Sequence, residues 1–185
     1  FMKCLAARIG ELVNADAIAR DVGVTVKTIQ DWLSILESSG IIRLIHSYEN
    51  NITNRTVKTP KVYFMDTGLV CYLVGWTSPQ VAMNGAMNGA LFENFVISEV
   101  IKSYYNAGHD AQNLYFYRDK DQREINLVIE KDGVLYPVEI KKSSRPSLNM
   151  AKSFAVLNKI PGKTVGTGCI LCQCEKKAFL SDTVM

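Results

Sequence analysis

The stretch from Glu124 to Lys141 limits the possible folds more than any other part of the chain. Two strand-forming runs, Glu124-Ile-Asn-Leu-Val-Ile-Glu and Val134-Leu-Tyr-Pro-Val-Glu-Ile-Lys, are joined by Lys131-Asp-Gly. An Asp-Gly pair accepts the positive φ angles of a two-residue hairpin turn, so the runs are expected to pair antiparallel. Residues two apart on a strand share a face. Glu124 and Asn126 therefore project together, with Ile125 and Leu127 directed into the core. Glu139 and Lys141 project together from the next strand, with Val138 and Ile140 opposite. The hairpin sets the two polar stripes side by side.

Around this hairpin the periodicity predicts a helix from about Ala90 to Tyr105, buried through Leu91, Phe95, Val96 and Val100. A strand, Asn113-Leu-Tyr-Phe-Tyr-Arg, precedes the hairpin. A helix from about Leu148 to Asn158 and a strand near Thr167 to Cys174 follow it. The order is αβββαβ, a mixed sheet with helices against it. Cys169, Cys172 and Cys174 lie in the last strand, and no second ligand pair completes a tetrahedral metal site with them. An apolar strand with buried thiols is the expectation there.

The N-terminal part reads differently. A helical period runs from Phe1 to about Gly10 through Leu5 and Ile9, and Asn14 caps a short helix, Ala15 to Arg20. After Asp21-Val-Gly-Val, Thr25 caps a longer helix ending before Gly40, with Ile29, Trp32, Leu33 and Leu36 on one face. Strand-like runs Ile41-Ile-Arg-Leu-Ile-His and Lys61-Val-Tyr-Phe-Met flank a polar loop, Tyr48 to Pro60, that holds Arg55 and Lys58. Three helices and a hairpin with a basic tip are the outline of a winged helix-turn-helix. Asp66-Thr-Gly-Leu starts one more short helix through Leu73, and 75–89 is expected to be a weakly structured join. The expected domains are 1–80 and 81–185.

Composition is that of a globular chain, 48% hydrophobic and 21% charged. No apolar run reaches the length of a membrane span, so a soluble, cytoplasmic protein without membrane contact is expected. A net charge of +3 does not by itself name nucleic acid as a partner. Within 1–75 the balance is +1, eight basic residues against seven acidic. In a helix-turn-helix the second helix enters the major groove, which nominates Lys27, Thr28 and Gln30 for DNA, with Arg55 and Lys58 for phosphate.

The second half resembles the PD-(D/E)xK phosphodiesterase superfamily, whose restriction-endonuclease-like core has this αβββαβ order. The resemblance rests on Glu139-Ile-Lys141 for the third-strand motif and on Glu93 for a helical acid. It implies a metal site in which carboxylates hold Mg²⁺ or Mn²⁺, the metal activates a water, and the lysine steadies the developing charge. Asn126 stands where the family has its second-strand acid, so Glu139 and Asn126 would hold a metal weakly. Glu124, on the same face, is the alternative ligand. The catalytic candidates are thus Glu93, Glu124, Asn126, Glu139 and Lys141.

Nearly the whole chain also resembles the C-terminal region of prokaryotic AAA-type ATPases, where a winged helix and a nuclease-like domain of unknown function follow the ATPase module. The matching blocks include Ile18-Ala-Arg-Asp-Val-Gly-Val, Lys61-Val-Tyr-Phe-Met-Asp-Thr-Gly-Leu, Gly89-Ala-Leu-Phe-Glu-Asn-Phe-Val and Val138-Glu-Ile-Lys-Lys-Ser. That family carries Glu-Val-Asp where this chain has Glu124-Ile-Asn126. No P-loop sequence is present, so this segment is expected not to bind ATP, and the resemblance places an ATPase module upstream as its partner. The expected function is a nucleic-acid-associated module, beside an ATPase, with an attenuated nuclease-like site. The alternatives are an active Mg²⁺-dependent DNA nuclease and a protein-interaction scaffold that touches no nucleic acid.

Overall fold

The computed structural model describes residues 1–49 and 59–185. The chain is α+β and divides into two compact units. The first comprises Phe1–Ile45 and Thr59–Val100, and the second comprises Ile101–Met185 with residues 46–49. The division falls between Val100 and Ile101, inside a helix.

In the first unit, helix α1 (Met2–Ala6) stops short of the expected Gly10. Gly10 has a φ of 74°, and its N–H donates to Val62 O at 2.9 Å, so the chain has already turned to run beside a strand. Helix α2 (Ala15–Val22) is capped by Asn14, whose side chain accepts from Ala17 N, and it ends at left-handed Gly23. Helix α3 (Val26–Ser38) is capped by Thr25 and buries Ile29 and Leu33. Strands β1 (Ile42–Ser47) and β2 (Lys61–Phe64) pair antiparallel, Ile42 opposite Phe64 and Ile45 opposite Lys61. Helix α4 (Thr67–Leu73) begins at Asp66, whose carboxylate accepts from Gly68 N and Leu69 N. One apolar cluster, centred on Leu5, Ile18, Ile29, Ile42, Phe64 and Val70, holds these elements together.

The 75–89 segment is more ordered than expected. It contains helix α5 (Pro79–Asn84), capped by Ser78 with proline at its start. Helix α6 (Asn88–Asn106) begins inside the same segment. Within the first unit Asn94 of α6 is fully buried, accepting from Phe64 N at 2.8 Å and donating to Phe64 O at 2.9 Å. Its amide imitates a neighbouring strand at the end of β2.

The second unit is built on a mixed sheet. Strands β3 (Leu114–Arg118), β4 (Glu124–Lys131) and β5 (Val134–Lys141) run antiparallel in sequence order. The two-residue strand β6 (Thr164–Val165) and strand β7 (Cys169–Cys172) both lie parallel to β5. His46 and Ser47 pair in parallel with Tyr115 and Phe116. Asp132 and Gly133, with φ of 51° and 80°, form the expected tight turn between β4 and β5. The segment Leu148–Lys159 is a 3₁₀ helix where an α-helix was expected. Its Phe154 packs so closely over Gly168 that a Cβ there would lie 2.5 Å from the ring.

Strict alternation fails in β4. Tyr115 pairs with Val128 but Tyr117 pairs with Ile125, so one extra residue is accommodated between them as a bulge. Ile125 and Val128, three apart, consequently pack in the same core with Leu135, Leu157 and Ile170. Leu127 is fully buried as expected, but it lies outside that cluster. The bulge falls beside Asn126, the residue on which the site depends.

Candidate functional site

Glu124, Asn126, Glu139 and Lys141 line one open cleft of about 390 Å³ in the second unit, facing Asn149, Met150, Lys152 and Ser153 of the 3₁₀ helix. The strand residues meet there because of the register. Leu127 lies opposite Val138, which sets Asn126 beside the end of β5. Within the cleft Asn126 Oδ1 accepts a hydrogen bond from Ile140 N at 2.9 Å. The paired register of β4 with β5 ends at Leu127 and Val138, and beyond it the side-chain oxygen serves Ile140 N. Asn126 is accordingly buried, 8% exposed, rather than displayed on an open polar stripe.

Glu139 is also buried, 6% exposed, and Lys141 Nζ stands 2.7 Å from its Oε1. That ion pair is the direct consequence of the two-residue spacing on one strand face. Lys141 is itself about half exposed, so its ammonium spans from a buried carboxylate to water. Glu124, at the start of β4, faces Arg118 across the sheet, with Arg118 Nη1 3.8 Å from Glu124 Oε2. The β3–β4 loop below it is self-tied. Asp119 accepts from the backbone N–H groups of Asp121 and Arg123 and from the Arg123 guanidinium. Desolvation opposes ionisation of Asp119, but these hydrogen bonds and the Arg123 charge outweigh it and lower its pKa.

Glu93 belongs to the first unit. There it accepts from Tyr63 Oη at 2.6 Å and lies 3.6 Å from Lys61 Nζ, both partners being on β2. Its neighbours make it an anchor of α6 on β2, and it is not among the residues lining the cleft. The structure thus brings together four of the five catalytic candidates.

The oxygen donors around the cleft are already engaged within the protein, which makes them a poor set for a hard divalent cation. Mg²⁺ keeps several waters and is held by one or two carboxylates, which must be free to reach it. Here one carboxylate already holds an ammonium, the other faces a guanidinium, and the amide oxygen is engaged by a backbone N–H. Among the described residues no group of three or more His, Cys, Asp or Glu is arranged to hold a metal ion. Cys169 and Cys172 lie on β7, as the apolar pattern suggested, but Cys174 falls beyond its end and all three are half-buried; desolvation pushes the Cys169 and Cys172 thiols above their ordinary pKa.

Of the residues nominated for DNA, Lys27 is exposed but paired with Asp31 at 2.7 Å, and Thr28 Oγ1 lies 2.8 Å from Thr25 Oγ1. Gln30 is exposed on α3. Arg55 and Lys58 lie outside the described residues. The helix side of the cleft, Asn149, Lys152 and Ser153, escaped the sequence reading. A signal for it was present: residues 141–174 contain Lys141, Lys142, Arg145, Lys152, Lys159 and Lys163 and no Asp or Glu.

No helix among the described residues is long and apolar enough to cross a membrane. Comparison with known proteins finds relatives without an assigned role. The uncharacterized proteins Rv2008c of Mycobacterium tuberculosis and Mb2031c of Mycobacterium bovis are each 29% identical over 182 residues, 98% of this chain and 39% of theirs. The chain therefore spans about two fifths of the length of the curated relatives it matches. No solved structure matches it. A family model described as Domain of unknown function (DUF8612) matches residues 1–80. A second, Domain of unknown function (DUF4143), matches residues 88–185, which contain the whole cleft, and the chain belongs to that family.

Proposed function

We propose that this chain is a nucleic-acid-associated module of an AAA-type ATPase, a winged helix followed by a restriction-endonuclease-like domain whose hydrolytic site is attenuated. The observation that carries the reading is the seat of Asn126: its oxygen is bonded to Ile140 N beside the Glu139–Lys141 pair. The residue set and strand positions suit a phosphodiesterase site, yet the ligand that should bring charge to a metal is a neutral amide tied to the backbone. The three helices followed by an antiparallel strand pair support the winged-helix part. The family matched over the second half is known from AAA-ATPase contexts, which supports a motor as neighbour and a cytoplasmic setting.

Incubation with supercoiled plasmid in Mg²⁺ or Mn²⁺ tests this. The wild-type chain should leave the plasmid intact, and Asn126→Asp should nick it, because an aspartate can keep one oxygen on Ile140 N and present the other to a metal. Cleavage by the wild type, lost in Lys141→Ala, would establish an active nuclease instead. A second reading, a protein-docking scaffold, is favoured by the apolar side chains that the first unit leaves open, Tyr72 at 80% and Ile35 at 61% exposure. Absence of any nucleic-acid binding would leave that reading as the better one.

A further inference from the structure

The sign of charge changes sharply along this chain. Residues 141–174 carry six basic and no acidic side chains, so the remaining residues hold fifteen basic against eighteen acidic, a net of −3. The basic block spans the last residue of β5 and the 3₁₀ helix, the two walls of the cleft. In a 3₁₀ helix residues three apart lie in line, so Asn149 and Lys152 share one edge, with Ser153 beside them. Lys141, Asn149, Lys152 and Ser153 all bring hydrogen-bond donors to this space. Lys163 belongs to the same block but is paired with Glu130 at 2.5 Å, away from the cleft lining.

We propose that the cleft binds a nucleic-acid phosphodiester backbone directly, with no divalent cation, Lys141 serving as a fixed cation on Glu139 and Lys152 as its counterpart on the 3₁₀ helix. The proposal rests on the nucleic-acid reading above and adds to it the contact surface and its independence of metal. In a hydrolytic site a metal ion bridges carboxylate and phosphate. Here the Lys141 ammonium, 2.7 Å from Glu139 Oε1, has three N–H donors and is about half exposed, so it can bond the carboxylate and a phosphate oxygen at once. The Lys141 and Arg118 charges offset those of Glu139 and Glu124, which would otherwise repel the strand. The cleft volume, about 390 Å³, lies within the range of ligand-sized pockets, enough for a short backbone segment.

The test is fluorescence anisotropy of a labelled oligonucleotide titrated with the chain, in EDTA and in Mg²⁺, across a series of salt concentrations. Equal affinity in EDTA and Mg²⁺ is expected. Lys152→Gln and Lys141→Gln should each weaken binding several-fold and reduce the salt slope by about one unit, as removal of one phosphate contact does. Thermal melts confirm that each variant is folded, and Lys152, exposed on the 3₁₀ helix, is the one whose loss disturbs packing least. Binding that requires Mg²⁺ would overturn the proposal. So would unchanged binding by both cleft variants alongside a loss in Lys27→Gln, which would move the contact to α3 and leave the nucleic-acid reading standing. No binding under any condition would remove both.

Discussion

Asn126 shows how a single side chain decides between two chemistries. Its carbonyl oxygen completes the bonding of Ile140 N beyond the last β4–β5 pair, Leu127 with Val138. Truncation in Asn126→Ala leaves a buried N–H without an acceptor, which costs about 1–3 kcal/mol. Urea denaturation should show that loss as a lower midpoint with an unchanged slope. Asn126→Asp keeps an acceptor but buries a charge next to Glu139, so it should melt below the wild type in EDTA and recover on addition of Mn²⁺. A wild-type melt that rises equally with Mn²⁺ would show that a metal already binds without the aspartate. At this scale the shared face of Glu139 and Lys141 was legible, since it follows from a period of two. The seat of Asn126 was not, because nothing in Glu124-Ile-Asn-Leu announces where the paired register ends. The partners of Glu93 were hidden for a related reason. Helical spacing put it at the edge of a buried stripe, but only the packed structure reveals that Lys61 and Tyr63 receive it.

At the scale of elements, legibility followed local chemistry. The β4–β5 hairpin was readable because Asp132 and Gly133 both adopt positive φ, which few residue pairs accept. Asp132→Val places a β-branched residue in the left-handed region and should destabilise the chain by about 1–2 kcal/mol, measured by the same denaturant midpoint. An unchanged midpoint would mean that the hairpin is fixed by its strands rather than its turn. Helices α2, α3 and α4 were likewise marked by Asn14, Thr25 and Asp66, each of which does cap its helix. Helix α5 carried the same kind of signal, Ser78 followed by Pro79, but it was masked by the glycines around it. Leu148–Lys159 is a 3₁₀ helix, with its Phe154 close over Gly168, and apolar periodicity alone does not separate 3₁₀ from α over a segment of this length.

For the whole molecule, the distribution of charge matters more than its total. A net charge of +3 predicts feeble retention on a polyanion, whereas a basic block of +6 that puts Lys141 and Lys152 into a cleft concentrates positive charge on that part of the chain. The two views separate on a heparin column. The double variant Lys141→Gln/Lys152→Gln and the double variant Lys3→Gln/Lys120→Gln both reduce the net charge to +1, since each removes two of the three excess positive charges. If net charge governs, the two elute together. If the cleft governs, the first elutes at clearly lower salt, while the second, altered at exposed sites outside the cleft lining, stays near the wild type. Phosphate contacts are additive in the logarithm of salt, so the loss of two should shift the first variant by about twice the single-variant change. Coincident elution would return the molecule to an ordinary, weakly basic surface and take the cleft out of consideration as a track for nucleic acid.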